Sequence, residues 1–439
     1  MRNYFKYILF ISAISANAQI KMTLKECADI AVKNNLTIRE AQLNAENANV
    51  LYGQAKSQAF PQTQLFIDQG LRAGRSINRF DNTFINEVYN TNGIYLQSQV
   101  AVFNSFQIKN QARQNELLYQ SSLKGIDAAR NRLMVSLIQA YIQVLAAQEL
   151  LDVAQKQVET SKQQVERVGK QIEAGTVGNT TLFDIKSQLA NDEFAFVTAK
   201  NNLQLARLTL FQQMNQSPNR SITFEPIKDE INLYSIDFQE VDRIFEEAVT
   251  LFPDIKSNEI RIQSFDNGIK AAKANALPSL SLSGSFQAFY ASSNPELNYI
   301  KQLDATRNGS LNLTLTVPIL GNLQNKYRVN AVRIQKQLAE NQLNTTRLQL
   351  RQSIEQSFQT FTAASERYKI ATEQVEILNQ NVAAIESRIS AGVIMSNSAD
   401  YILARNNQAR AMSNLVQAKY EYILQKKALD FYRSGEWRL

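Results

Sequence analysis

The chain has 439 residues, of which 47 are basic and 40 acidic, for a formal net charge of +7. It holds one cysteine and no histidine, which excludes an intrachain disulfide, Ser-His-Asp and Cys-His catalysis, and histidine-ligated metal sites. The basic excess is spread along the chain with no long basic run, which argues against nucleic acid as a partner.

Residues 1–18 read as a secretory signal peptide. Arg2 and Lys6 form a basic start, Tyr7 to Ile14 a short apolar run, and Ala16-Asn17-Ala18 a small-x-small cleavage site. The expected cut follows Ala18, and losing Arg2 and Lys6 lowers the charge from +7 to +5. No cysteine near the cut indicates lipidation. Cys27 reads as a small buried apolar residue. No later stretch has eighteen consecutive apolar residues, so no helical span is expected, and the exported chain is either soluble or crosses a membrane as strands.

The rest of the chain is written twice. Ala55-Lys56-Ser57-Gln58-Ala59-Phe60-Pro61 returns as Ala272-Lys273-Ala274-Asn275-Ala276-Leu277-Pro278, an offset of 217 residues. The same offset carries Ala31-Val32 onto Ala248-Val249 and Ala174-Gly175 onto Ala391-Gly392. The first repeat occupies 19–216, a linker 217–240, the second repeat 241–434 and a tail 435–439. Each repeat opens with a helix, Ile38 to Ala59 and Ile255 to Ala276, stopped by Pro61 or Pro278 because the residue before proline disfavours helix.

Strands are predicted next, at about 62–72 and 94–103, then 279–290 and 310–319, each pair separated by a polar loop. Alternation is clearest in the second copy. Leu280, Leu282, Phe286 and Ala288 oppose Ser281, Ser283, Ser285 and Gln287, and Leu311, Leu313 and Leu315 oppose Asn312, Thr314 and Thr316. In the first copy Leu65, Ile67 and Leu71 oppose Gln64, Asp68 and Arg72, and Ile94, Leu96, Val100 and Val102 oppose Gln97 and Gln99. Apolar outside and polar inside, over about 10 residues, is the pattern of a membrane barrel with a wet lumen. Phe60, Tyr95, Phe103, Phe289 and Tyr290 sit at the ends, where interface aromatics belong. Four strands cannot enclose a lumen, and open edges are forbidden in lipid, so the strand pattern requires several copies.

Long helices follow at about 104–172 and 180–214, and again at about 321–389 and 398–432. The first, free of proline, would be roughly 100 Å long. Its apolar stripe runs Leu133, Leu137, Ala140, Val144, Ala147, Leu151, Ala154, Val158, then Val165, Val168 and Ile172. Spacings of four and three make a heptad seam, repeated at Leu350, Ile354, Ser357, Phe361, Ala364, Tyr368, Ala371, Val375, Val382, Ile385 and Ile389.

The signal peptide, the duplication, paired strands after Ala-x-x-x-Ala-x-Pro, and long helices joined at an Ala-Gly turn together resemble the TolC-like outer-membrane factors over residues 20 to 434. The fold class this implies is an α+β membrane protein: a homotrimer with a twelve-stranded β-barrel, four strands per subunit, continued by a long periplasmic α-helical barrel. It implies a place in the cell outer membrane, in contact with its lipid. It implies the exit duct of a tripartite efflux pump or type I secretion system, with a periplasmic adaptor and an inner-membrane transporter as partners.

The family's tip turns map onto Ala174-Gly175-Thr176-Val177-Gly178-Asn179 and Ala391-Gly392-Val393-Ile394-Met395-Ser396. The resemblance makes Lys170, Gly175, Thr176, Val177, Arg388, Gly392, Val393 and Ile394 adaptor-docking residues, and Asp184 and Asp400 pore-constriction residues. The same acids also fit helix starts, since Thr181-x-x-Asp184 and Asn397-x-x-Asp400 both look like capping boxes. A secreted helical coiled-coil scaffold or adhesin without a pore is the alternative, and it has no use for the Ser-Leu alternation. Lone serines and aspartates abound without an activating base, so the chain is not expected to be an enzyme, and no cofactor or metal is expected.

Overall fold

The computed structural model describes residues 20–78, 82–218, 222–227, 238–319, 322–390 and 398–437. The signal peptide and parts of the expected linker and tail therefore lie outside the described residues. The chain divides into two units: residues 40–127 with 253–347, and residues 1–39 with 128–252 and 348–439.

The duplication is visible in the elements. Helices α1 (Leu24–Asn34) and α2 (Leu36–Ser57) correspond to α5 (Phe238–Leu251) and α6 (Pro253–Ala274). Strands β2 (Gln62–Ile77) and β3 (Phe84–Phe103) correspond to β5 (Ser279–Ala291) and β6 (Asn308–Thr316). Helices α3 (Gln107–Glu173) and α4 (Asn179–Gln213) correspond to α8 (Asn322–Ser390) and α9 (Ser398–Ser434). Two further strands, β1 (Ile20–Met22) and β4 (Ile222–Phe224), and a short helix, α7 (Tyr299–Thr306), have no such counterpart among the described residues.

Local chemistry sets these boundaries. Thr23 and Glu26 form a capping box that opens α1. The Asn35 side chain accepts from the amides of Thr37 and Ile38 at 2.9 and 3.1 Å and opens α2. Pro253 stands at the first position of α6, where a missing N–H costs nothing. Both helices end in tight i→i+3 turns ahead of the prolines, for example Ala59 N to Lys56 O and Ala276 N to Lys273 O. They end at Ser57 and Ala274, two residues short of the expected limits. Helix α3 opens at Gln107 rather than near residue 104, because Ser105 and Phe106 adopt φ of 52° and 64° and turn the chain out of β3.

In the first unit the four strands form one antiparallel sheet in the order β2-β3-β5-β6. The β2–β3 ladder is unbroken from Gln62↔Gln99 to Ile77↔Phe84. The strands thus extend through residues expected to be polar loop. One irregularity, between Ala101 and Phe103, shifts the β3–β5 register near its foot.

In the second unit the helices carry the core. Leu137 and Val144 of the α3 seam, and Ile354 and Ala364 of the α8 seam, are fully buried. Midway along α3 the burial widens beyond one stripe to include Met134, Ile138, Tyr141 and Leu145. The parallel pair β1–β4 lies there: the Tyr141 hydroxyl is shared between Met22 O at 3.1 Å and Glu225 O at 2.7 Å. The Phe224 ring stands edge-on to both Tyr141 and Phe211. Cys27 is 0% exposed, and burial pushes its thiol up to about 12. One 18-residue window of α3 has mean hydropathy 1.3, and 56% of it is buried. Burial of that kind belongs to a packed core helix.

Candidate functional site

The sheet presents two chemically different faces, and the register shows how complete they are. Directly opposed residues share a face. One row reads Leu65↔Leu96↔Phe286, the next Ile67↔Ile94↔Ala288. Towards the other end come Val100↔Leu282↔Leu313 and Leu280↔Leu315. On the opposite face the rows are Gln64↔Gln97↔Ser285↔Ser310, Gln99↔Ser283↔Asn312 and Ser281↔Thr314. Hydroxyl pairs join neighbouring strands on the polar face, as in Ser285–Ser310 at 2.8 Å. The apolar face is bare: Leu313 and Leu315 are each 64% exposed. No described strand pairs with the outer edge of β2 or of β6. Gly93, on the polar face, leaves room for the Tyr95 ring and the Asp68 carboxylate, which lie 2.4 and 2.5 Å from where a Cβ would stand.

The second candidate region is the turn between α3 and α4. Gly175 has φ of +72°, its N–H reaches Ile172 O, and the Thr176 N–H reaches Gln171 O. This is a Schellman ending, in which a glycine in the left-handed region satisfies the last helical carbonyls. Thr176 Oγ1 adds a bond to Gln171 O at 2.8 Å. Val177 is half-buried and packs on a cluster of Val168, Ile185 and Tyr401. Lys170 and Arg388 are exposed, and Lys170 pairs with Glu166 at 2.7 Å. Gly392, Val393 and Ile394 lie outside the described residues.

The capping reading of Asp184 is corrected. Helix α4 is capped at Gly178 with no side-chain hydrogen bond, so Thr181 is already inside the helix and Asp184 stands a further turn along. The chain leaves the Gly175 turn early enough for the helix to begin before Thr181. Asp400, by contrast, lies in the first turn of α9, and its proposed cap Asn397 lies outside the described residues. The two acids are therefore not equivalent in their helices. Both are exposed, and each directly precedes a residue of the cluster, Ile185 or Tyr401.

A buried polar belt further along the helices has no counterpart in the apolar seam. Ser161 of α3 donates to Asp192 of α4, and Gln188 Nε2 donates to Asp192 Oδ1 and to Asn406 Oδ1, each at 2.9 Å. Arg405 of α9 reaches Gln157 and Gln408, and Gln408 reaches Asn379 of α8 at 2.7 Å. Burial pushes the Asp192 carboxyl up, against the pull of Ser161, Gln188 and Arg405. The signal for it was present as polar residues on inward helix positions, but periodicity alone does not separate those from a wetted face.

A two-faced sheet with open edges, joined by duplicated pairs of long helices, defines a class of membrane duct rather than a soluble scaffold. The family model for outer membrane efflux proteins matches residues 28–216 and 245–432, and the chain belongs to that family. Its place is the outer membrane, and its general role is efflux across it. The fold is shared with the CmeC outer membrane channel of Campylobacter jejuni, at 19% identity and a TM-score of 0.79, covering 94% of this chain and 86% of that one. It is shared with VceC of Vibrio cholerae, at 15% identity and 0.75, covering 94% and 95%. It is shared too with the open state of MtrE of Neisseria gonorrhoeae, at 16% identity and 0.72, covering 96% and 93%. No curated protein matches the chain by sequence.

Proposed function

We propose that three copies of this chain close their sheets into one twelve-stranded barrel, which forms the exit duct of a tripartite efflux pump or type I secretion system. The observation that carries this is the sheet itself. Four strands in one continuous register put aliphatic side chains on one face and hydroxyl and amide groups on the other. In lipid such a sheet is stable only when its edges are paired, and since no further strand of matching pattern stands among the described residues, the partners are strands of further copies. The apolar face then meets the outer-membrane lipid and the polar face lines a wet lumen. A coiled-coil scaffold gives neither face anything to do.

In this reading the helices form a barrel in the periplasm, and the duct passes solute without catalysis. The turn at Gly175 and its counterpart at Gly392 sit at the periplasmic end, where Lys170, Thr176 and Arg388 meet an adaptor that links the duct to an inner-membrane transporter. The packing of Val177 against Val168 supports a structural role for that residue instead. Asp400 and Asp184, both exposed near the turns, face the narrowed passage. Reconstitution into planar bilayers tests the duct directly. Stepwise ion conductance is expected, and membranes that stay silent under every loading condition would leave the scaffold reading.

A further inference from the structure

We propose that α7 of one copy docks on the projecting β2–β3 ribbon of the next and covers the ribbon's apolar face beyond the end of β6. The inference rests on the trimeric reading above and adds an interface that strand pairing does not supply.

Three observations meet here. The first is a strand that outruns its neighbour. Strand β5 pairs with β6 only as far as Gln287↔Asn308, yet runs on to Ala291 against β3. The edge that β6 has left is capped by α7. Thr306 Oγ1 accepts from the Phe289 N–H at 2.8 Å and lies 2.7 Å from its carbonyl oxygen, and Gln302 Oε1 accepts from the Ala291 N–H at 3.0 Å. Gln302 is 0% exposed, and its amide nitrogen donates to Asn294 O and Leu297 O. Helix α7 thus continues the sheet where β6 stops.

The second is the side on which α7 lies. The Tyr299 hydroxyl donates to Asn92 Oδ1 at 2.6 Å, and its ring stands 5.0 Å from that of Tyr290. Asn92 and Tyr290 are opposed in the register and share the face of Ile94 and Ala288. The remaining flank of α7 leaves Ile300 71% exposed beside Ala305 and Asp304, the latter paired with Arg307 at 2.6 Å.

The third is an exposed surface, largely apolar. Past Leu71↔Asn90 the ladder has two strands only, and its face on the same side carries Leu71, Ala73 and Ile77 with Val88 and Phe84, interrupted by Arg75, Asn86 and Asn90. The Arg75 guanidinium lies 4.6 Å from the Phe84 ring centre. Phe84 is 68% exposed and Val88 65%. From Val102 to Phe84 along β3 is about 60 Å at 3.4 Å per residue. A hydrocarbon core of about 30 Å cannot cover that length even with a strand tilted by 45°. The upper ribbon therefore stands beyond the lipid.

Closing the barrel sets the β6 edge of one copy beside β2 of the next. Strand β2 has 16 residues and β6 only 9, and β2 begins and β6 finishes at the end that joins the helices. The free edge of β2 therefore outruns β6 at the hairpin end. The chain beyond β6 at that end is Arg307 and then α7. The exposed flank of α7 meets the next copy's ribbon there, Ile300 against Ala73 and Ile77, with Asp304 opposite in charge to Arg75.

The test uses two differently tagged chains expressed together in membranes, one carrying Ile300→Cys and the other Ala73→Cys, Arg75→Cys or Ile77→Cys in turn. Cys27 is fully buried and does not compete. A second pair, Leu313→Cys with Leu65→Cys or Ile67→Cys, monitors β6 against the next β2. Oxidation is expected to give a mixed-tag cross-linked dimer from both pairs. Cross-linking from position 313 but from none of the three ribbon positions to 300 would overturn the α7 contact and leave the barrel standing. Absence of both would bring down the barrel closure and the α7 contact together.

Discussion

At the residue scale, Gly175 and Asp192 show two different uses of a single side chain. Gly175 adopts φ of +72° with open space around it, so what it supplies is backbone freedom. Gly175→Ala is expected to cost about 1–2 kcal/mol at the turn, with Gly175→Asn costing less. Faster hydrogen exchange at the Thr176 amide would report the loss. Asp192 is a buried acid whose folded-state pKa lies above its unfolded value. The folded chain therefore binds more protons in the window between the two, from about pH 4 upward, and stability falls as pH rises through that window. Asp192→Asn keeps an acceptor for Gln188 and gains a donor for Ser161, so it should flatten the acid dependence of Tm without lowering Tm at neutral pH. Asp192→Leu leaves Ser161 without its acceptor and Gln188 with Asn406 alone, and should cost about 1–3 kcal/mol.

At the scale of elements, the sheet makes the sharpest claim about faces. Leu313→Arg places a charge on the apolar face near its middle, for a cost of about 2–4 kcal/mol at the bilayer midplane. Thr314→Arg, one residue on, points to the polar face and should insert and assemble far better. Heat-modifiable gel mobility of the two variants would show it, and equal assembly would mean that the faces are misassigned. This sheet was legible in the sequence wherever small polar and aliphatic residues alternate, as at 279–290. It was not legible at 84–93, where Asn86, Asn90 and Asn92 interrupt the apolar face and mimic a loop. The helices were legible from proline and the heptad seam. The pair β1–β4 was not, because each strand has 3 residues and its partner lies some 200 positions away. The polar belt around Asp192 stayed hidden because its members belong to four helices, and only packing brings them together.

At the scale of the whole molecule, the repeat and its open edges point to an assembly. A ring of three Asp400 carboxylates near the axis would attract cations and disfavour anions. Asp400→Asn is expected to reduce cation preference in planar-bilayer recordings, whereas a residue that only caps α9 would leave selectivity unchanged and cost about 1 kcal/mol of helix stability. Asp184 stands past the first turn of α4, so an effect of Asp184→Asn on selectivity would have to come from the passage rather than from a cap. The central claim is that one chain cannot close its own barrel. Native mass spectrometry of the mature protein released from detergent tests it most directly: the account predicts a single dominant species of three chains, and a stable monomer under those conditions would contradict it.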